Sequence, residues 1–284
     1  MQIGIGIPNQ VRNVSPAIVP EWSSRAEKAG FSKLGTVGRF AYPGISDTVA
    51  LAAAAGATST IGLFSGVLLA TTWPAELLAK ELAGIDGVSG GRLTLGLGIG
   101  GRPDDFVADG APMAGRGKRF DHDLEVYRDI WQGAPVGGGP NPAVPTGTRQ
   151  VPLLFGGTAP AAMARMAKWG LGYVGGSMPA SMVAGAFDSA RAAWKEAGRD
   201  GAPRLVAVAY FAFADGDKGR ANVHDYYSFL GDDTANFVAS AASVGADAIK
   251  ATVAAFEEIG ADELVFNPTL TDLDEIGKLA DVVL

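Results

Sequence analysis

The chain has 284 residues, with 23 Lys and Arg against 30 Asp and Glu, a formal net charge of −7, no Cys and two His. The lack of Cys excludes disulfides, thiolate metal sites and thiol nucleophiles, and His122 and His224 alone are too few for a multi-His zinc or iron centre. The acidic balance argues against nucleic-acid or anionic-membrane partners, because phosphate contacts need clustered positive charge.

In chain order, short apolar runs alternate with segments of helical period. Ile3 to Ile7 reads as a strand closed by Pro8-Asn9. Ile18, Trp22, Ala26 and Ala29 fall at helical spacing, with Gly30 suited to end that helix. Leu34 to Val37 is a second strand. Ser46 and Asp47 are placed to cap a helix running to Ala57. Ile61 to Leu69 is a third strand; Gly66 inside it marks a bulge, a close backbone approach or plain packing. Pro74 suits the first turn of the next helix, which carries Leu78, Leu82, Ile85 and Val88. Leu93 to Leu97 is a fourth strand, leading into Gly98-Ile99-Gly100-Gly101.

Phe120, Leu124, Tyr127 and Trp131 line a further helix, and residues 134–149, rich in Gly and Pro, read as a surface excursion. Val151 to Phe155 is the fifth strand, and Leu171 to Val174, ending in Gly175-Gly176, is the sixth. Arg204 to Phe213 is the seventh. A long crossover with two or three helices separates it from the eighth, Glu263 to Phe266. Strands this short and apolar fit a parallel sheet buried on both faces. Eight β/α units in one domain spanning residues 1–284 predict an α/β fold, a single (β/α)8 TIM barrel with an extended crossover between strands seven and eight. An open doubly wound sheet is the alternative. It usually carries a glycine fingerprint after strand one, where this chain has Ile7-Pro8-Asn9-Gln10. No window is long and apolar enough for a signal peptide or membrane span, so a cytoplasmic location is the expectation.

In a barrel the chemistry sits at the C-terminal strand ends. There the chain places Pro8, Gly66, Val67, Gly98, Gly100, Gly101, Gly156, Gly157, Thr158, Gly175 and Gly176. Acids and bases are scarce among them, and a site without its own reactive groups commonly borrows those of a cofactor. Gly156-Gly157-Thr158, before a helix, either holds a phosphate on backbone N–H groups or simply makes a tight turn. Arg39 and Arg102 follow strands two and four; they bind substrate or pair with Asp104 and Asp105. Tyr42 and Tyr210 point to an apolar or planar substrate or to core packing.

Several blocks together resemble the bacterial luciferase-like monooxygenase family. They are Ala57-Thr58-Ser59-Thr60-Ile61-Gly62-Leu63, then Leu78 to Leu82, Ser89-Gly90-Gly91-Arg92-Leu93, and Val151 to Gly157. The resemblance implies a TIM barrel that uses reduced FMN or the deazaflavin coenzyme F-420. By similarity, Gly156, Gly157 and Thr158 would hold the cofactor phosphate, and Gly66-Val67 would pack against the isoalloxazine through an unusual peptide geometry. Two departures stand out. Gly38-Arg39 replaces the acid–His pair that many members carry after strand two, and Gly101 stands where some deazaflavin dehydrogenases have a proton-donating Glu. Arg39 is then the candidate for polarising a substrate oxygen. The resemblance also implies a small-molecule substrate, a separate flavin reductase and a homodimer as the partners to look for. The rival expectations are a flavin-binding barrel without turnover and a cofactor-free enzyme acting on a phosphorylated substrate.

Overall fold

A computed structural model describes residues 1–107 and 111–284. Its strands are β1 Gln2–Gly6, β2 Lys33–Thr36, β3 Gly62–Leu69, β4 Leu93–Gly98, β5 Leu153–Gly156, β6 Gly172–Val174, β7 Arg204–Ala212, β8 Ser243–Val244 and β9 Glu263–Pro268. The intervening helices are α1 Ile18–Ala29, α2 Asp47–Ala57, α3 Ala75–Ser89, α4 Arg116–Trp131 and α5 Pro160–Trp169. They continue with α6 Ala180–Glu196, α7 Gly216–Tyr227, α8 Asp232–Ser240, α9 Gly245–Glu258 and α10 Asp274–Val283.

All strand pairings are parallel. The ladder runs β6-β5-β4-β3-β2-β1-β9-β7, and a β6–β7 pairing closes it into a barrel of eight strands. The eight-strand expectation therefore holds. The two-residue β8 is an addition: it flanks the end of β7, with Ser243 opposite Phe211 and Val244 opposite Ala212. Two residues among alanines and serines carry no strand periodicity, so it was invisible in the sequence. The long crossover comprises α7, α8, β8 and α9.

Smaller differences have local causes. Strand five begins at Leu153 because Pro152 has no N–H to give; its carbonyl still accepts from Leu95 N at 2.9 Å. Pro74 takes an extended conformation just before α3. Ser46 occupies the N-cap position of α2, but its hydroxyl makes no cap bond and instead pairs with Thr48 Oγ1 at 3.2 Å. Among the described residues, no helix is long and apolar enough to cross a membrane.

The barrel lumen is filled by Phe64, Leu154, Val174, Val206, Val208 and Val265. Below this plug, Glu263 is fully buried and accepts from Lys33 Nζ at 2.9 Å, Arg204 at 2.8 Å and Ser32 Oγ at 2.6 Å. Burial pushes its carboxyl up, but the two cations and the hydroxyl outweigh that and hold it below the usual carboxylate range. Polar pairing thus seals the N-terminal end, while the C-terminal end stays open above the apolar plug.

Arg92 joins α2, β3 and α3. Its guanidinium donates to the carbonyls of Ser89, Ile61, Ala55 and Thr58 and to Thr58 Oγ1, at 2.6 to 3.0 Å. The Ser-Gly-Gly-Arg stretch is therefore a structural joint rather than part of the mouth.

Candidate active site at the barrel mouth

The open end of the barrel holds a cleft of about 370 Å³, within the roughly 300–1,000 Å³ usual for cofactor and small-molecule sites. Its floor and walls come from strand ends: Val37 and Gly38 after β2, Gly66, Val67 and Leu69 in β3, and Gly101 and Arg102 after β4. Gly156 and Gly157 at the end of β5, and Val174 to Ser177 at the end of β6, complete the ring. Tyr226, Tyr227, Phe229 and Leu230, from the end of α7 and the turn after it, form the roof.

The Gly66–Val67 peptide is cis. The β3–β4 register shifts between Ser65 and Leu68, so Gly66 lies in a bulge. Val67 is turned onto the lumen plug. A Cβ at Gly98 would lie 3.0 Å from Val67 Cγ2, and one at Gly156 would lie 3.3 Å from Val67 Cγ1. These glycines let Val67 settle flat across the barrel. A Cβ at Gly101 or Gly176 would meet nothing within 4 Å, so their lack of side chains leaves the cleft open.

Of the residues singled out in the sequence, Gly66, Val67, Gly101, Gly156, Gly157, Gly175, Gly176 and Arg102 line this cleft. Gly98 packs behind Val67, and Gly100 (φ 67°) turns beneath the Phe106 ring. Pro8 is buried and not among the lining residues. Thr158 is exposed and borders a groove between α5 and α6 instead. Tyr210 is buried under a neighbouring chamber of about 230 Å³ that meets the cleft at Ser177, and its hydroxyl lies 3.3 Å from that of Tyr227.

Arg39 is not among the residues that line the cleft. Its guanidinium pairs with Asp104 at 2.9 Å, donates to the Tyr226 carbonyl at 3.1 Å and lies over the rings of Phe229 and Tyr42. It borders a side pocket of about 240 Å³ that also includes Tyr42. Burial, and then the hydrogen bond that Tyr42 donates to Asp225 Oδ2 at 2.5 Å, raise its phenol well above the usual range. Arg102 lies 4.1 Å from the centre of the Phe229 ring and donates to the Tyr226 hydroxyl at 3.3 Å.

Three further residues organise this region, of which the sequence offered Asp105 only as an arginine partner, Asp47 only as a helix cap and Tyr226 in no role. Asp105, 1% exposed, accepts the N–H groups of Phe40 at 2.9 Å and Ala41 at 2.7 Å and lies 3.9 Å from both Arg39 and Arg102. Tyr226 donates to the Gly38 carbonyl at 3.2 Å, tying α7 to the end of β2. Asp47 is buried at the start of α2, where desolvation and the charge of Asp105 push its carboxyl up to about 7. The sequence signals were the Asp104-Asp105 pair after Arg102, a Tyr pair in an otherwise polar segment and an Asp directly ahead of an apolar helix.

A three-ring heterocycle with a phosphate tail fits this arrangement. The slot is lined by glycines over an apolar floor. It extends to Gly156 and Gly157 (φ 104°), which precede the ten-residue α5. Backbone N–H groups at such a glycine turn suit an anion; in the first turn of α5, Pro160 has no N–H and those of Ala162 and Met163 already donate to the Ala159 carbonyl.

Comparison with known proteins agrees. The profile of the luciferase-like monooxygenase family matches residues 1–268. An uncharacterized protein of Mycobacterium tuberculosis is 31% identical over 172 residues, covering 50% of this chain and 60% of that protein; the match thus spans less than two thirds of the relative. Among solved structures, a monooxygenase from Streptomyces bottropensis superposes with a TM-score of 0.80 at 22% identity, covering 100% of this chain and 98% of the other. An F-420-dependent secondary alcohol dehydrogenase, solved with an F-420–acetone adduct, gives 0.80 at 17% identity over 99% and 98%. The oxygenating constituent of 3,6-diketocamphane monooxygenase from Pseudomonas putida, solved with FMN, gives 0.74 at 14% identity over 99% and 96%. At these identities the structural likeness establishes the fold.

Proposed function

The chain belongs to the luciferase-like monooxygenase family, and we propose that it is an oxidoreductase that holds reduced FMN or coenzyme F-420 in the cleft above Val67. The observation that carries this reading is the glycine-lined slot leading from Val67 to Gly156 and Gly157. When bound, the cofactor supplies hydride or, as a reduced flavin, the means to activate oxygen. The protein supplies the rest.

Val67 and the lumen plug give the ring an apolar bed. Gly156 and Gly157, bare of side chains at the end of the slot, receive the phosphate on their backbone. Tyr226, Tyr227 and Phe229 shield the opposite side from water, with Arg102 stacked among them. The chamber reached past Ser177, with Met178, Ala180 and Phe256 in its lining, suits an apolar part of a small organic substrate.

The test is direct titration with FMN and with F-420, oxidised and reduced, followed by absorbance and fluorescence. Saturable binding at micromolar levels with perturbation of the ring spectrum supports the reading and selects the cofactor. No binding of either refutes it. If FMN binds, a separate flavin reductase is the expected source of the reduced form, and a homodimer is the expected assembly, checked by sedimentation.

A further inference from the structure

Among the described residues that line the cleft, Arg102 is the one that carries a charge. The others are glycines, aliphatic side chains, Ser177 and the roof aromatics Tyr226, Tyr227 and Phe229. The Arg102 side chain is 12% exposed, so a full positive charge stands at the edge of a mainly apolar space. A charge drawn this far from water needs hydrogen-bonding partners to offset its desolvation. The way Arg102 is held leaves most of its donors without one among the described residues.

Other arginines of the fold are fixed through their N–H groups. Arg92 spends its fork on four carbonyls and a hydroxyl. Arg39 donates to Asp104 at 2.9 Å and to the Tyr226 carbonyl at 3.1 Å. Arg102 is fixed by rings instead. Its guanidinium carbon lies 4.1 Å from the centre of the Phe229 ring, 4.9 Å from that of Tyr226 and 5.8 Å from that of Tyr227. Stacking of this kind orients the guanidinium plane without using an N–H. Among the described residues Arg102 makes one hydrogen bond, the 3.3 Å contact to the Tyr226 hydroxyl, although a guanidinium carries several donors in a rigid fork.

Asp105 does not use up those donors. Its Oδ2 lies 3.9 Å from Arg102 Nη1, beyond hydrogen-bond reach, while its Oδ1 accepts the N–H groups of Phe40 and Ala41. Asp105 thus offsets the charge of Arg102 from behind and leaves the fork itself unspent. A hydrocarbon packed against that fork would strip its water and give nothing back, and a cation would be repelled. A carboxylate accepts two parallel charge-assisted bonds from a guanidinium. The space between Val67 and the aromatic roof suits a flat apolar body attached to it.

We propose that Arg102 is the specificity-determining residue of the cleft, and that the substrate is a small aromatic or conjugated carboxylate whose oxygens accept N–H bonds from its guanidinium. The inference deepens the oxidoreductase reading by naming the substrate class, and it rests on that reading for the reaction that follows binding. The 3.3 Å contact to Tyr226 is weak enough to yield when the carboxylate arrives. The other oxyanion that could meet the fork is the phosphate of the cofactor. Gly156 and Gly157 offer that group backbone at the end of β5, whereas Arg102 is stacked into the roof.

The test is calorimetric titration with benzoate and with its uncharged isostere benzamide, on the protein alone and with saturating oxidised cofactor. Wild type is expected to bind benzoate about tenfold or more tighter than benzamide, the yield of hydrogen bonds to a charged group, with the preference shrinking as salt rises. Arg102→Met, which keeps an apolar stem under the rings, should erase the preference by weakening benzoate alone. Arg102→Lys, which keeps the charge without the planar fork, should retain only part of it. No saturable benzoate binding in wild type, no acid-over-amide preference, or a preference that survives in Arg102→Met overturns the proposal. Titration of FMN and F-420 into the same variants separates the two oxyanions. Unchanged cofactor affinity in Arg102→Met assigns the fork to the substrate, whereas a cofactor loss as large as the expected benzoate loss assigns it to the cofactor phosphate and overturns the proposal. The two readings also fail separately: a bound cofactor with no acid-over-amide preference removes the carboxylate site alone, and an Arg102-dependent preference in a protein that binds neither cofactor removes the oxidoreductase reading alone.

Discussion

Placing a bulky side chain where the cleft is lined only by glycine gives a decisive test of the cofactor site. Gly101 and Gly176 lie on different sides of it, neither has a positive φ, and a Cβ at either meets nothing within 4 Å. Gly101→Trp and Gly176→Trp should therefore fold normally while filling much of a 370 Å³ space. A flat heterocycle of aromatic size buries on the order of 200 Å². At about 25 cal/mol per Å² its exclusion removes roughly 5 kcal/mol, or between three and four orders of magnitude in Kd. Gly185→Trp, on the exposed face of α6 with nothing within 4 Å of its Cβ, is the control for the substitution itself. The assay pairs thermal melts, expected to stay within about 3 °C of wild type, with cofactor titration by fluorescence. If both cleft variants bind with wild-type affinity, the cofactor does not occupy the cleft, and the assignment of Gly101 and Gly176 to its walls in the complex is wrong.

Arg92→Met removes five hydrogen bonds from the joint of α2, β3 and α3 and should cost about 3–5 kcal/mol, a fall in Tm of roughly 6–15 °C; a change below 2 °C would refute the joint. Asp105→Ala leaves the Phe40 and Ala41 N–H groups without their acceptor and deprives two largely buried arginines of a countercharge. It should lower stability by about 3–5 kcal/mol and speed hydrogen exchange at residues 40–41. Asp47 is raised to about 7 in the folded chain from 3.8, so the native state binds the extra proton between these values. Its contribution to stability therefore declines as pH rises from about 4 to 7, at about 1.4 kcal/mol per pH unit, to a total on the order of 4 kcal/mol. Asp47→Asn should remove that decline and melt above wild type at pH 8; equal melts at pH 8 would contradict it. Glu27 shows the opposite sign. Partial desolvation raises its pKa, but three backbone N–H groups and the Thr60 hydroxyl outweigh this and lower it to about 2. Its contribution is complete above pH 4.5 and lost on acidification toward 2, and Glu27→Gln should flatten this limb of the melt-versus-pH curve.

The barrel was legible because its signals are local and repeated. Each β/α unit announces itself by an apolar run, a turn and a helical stripe, and eight such units leave few alternatives. The glycine mouth was legible for the same reason, since Gly101, Gly156 and Gly176 fall at or just beyond strand ends and Gly66 interrupts a strand. What pairs with what across the mouth was not. Arg39 and Arg102 look equivalent in the sequence, yet a turn carrying Asp104 and Asp105 and the carbonyl of Tyr226 draw Arg39 away while Arg102 stays in the cleft. Thr158 follows two cleft glycines but faces outward, because the chain turns into α5 there. Asp47 follows a Ser at a helix start, which is how a solvated cap reads. Only the close approach of Gly38 and Asp105 shows that its carboxyl is buried beside the mouth.

One phenol has an effect out of proportion to its size. The Tyr226 hydroxyl accepts a hydrogen bond from Arg102 and donates one to the carbonyl of Gly38, at 3.3 and 3.2 Å, so this one oxygen links the side chains of roof and wall. Both links are long for such bonds and break cheaply. The doorway for an arriving molecule is therefore as wide as the last turn of α7 permits at a given moment. Residence times in the chamber would then be governed by that helical turn, and two relatives with identical strand tips could differ widely in how fast they let their products go.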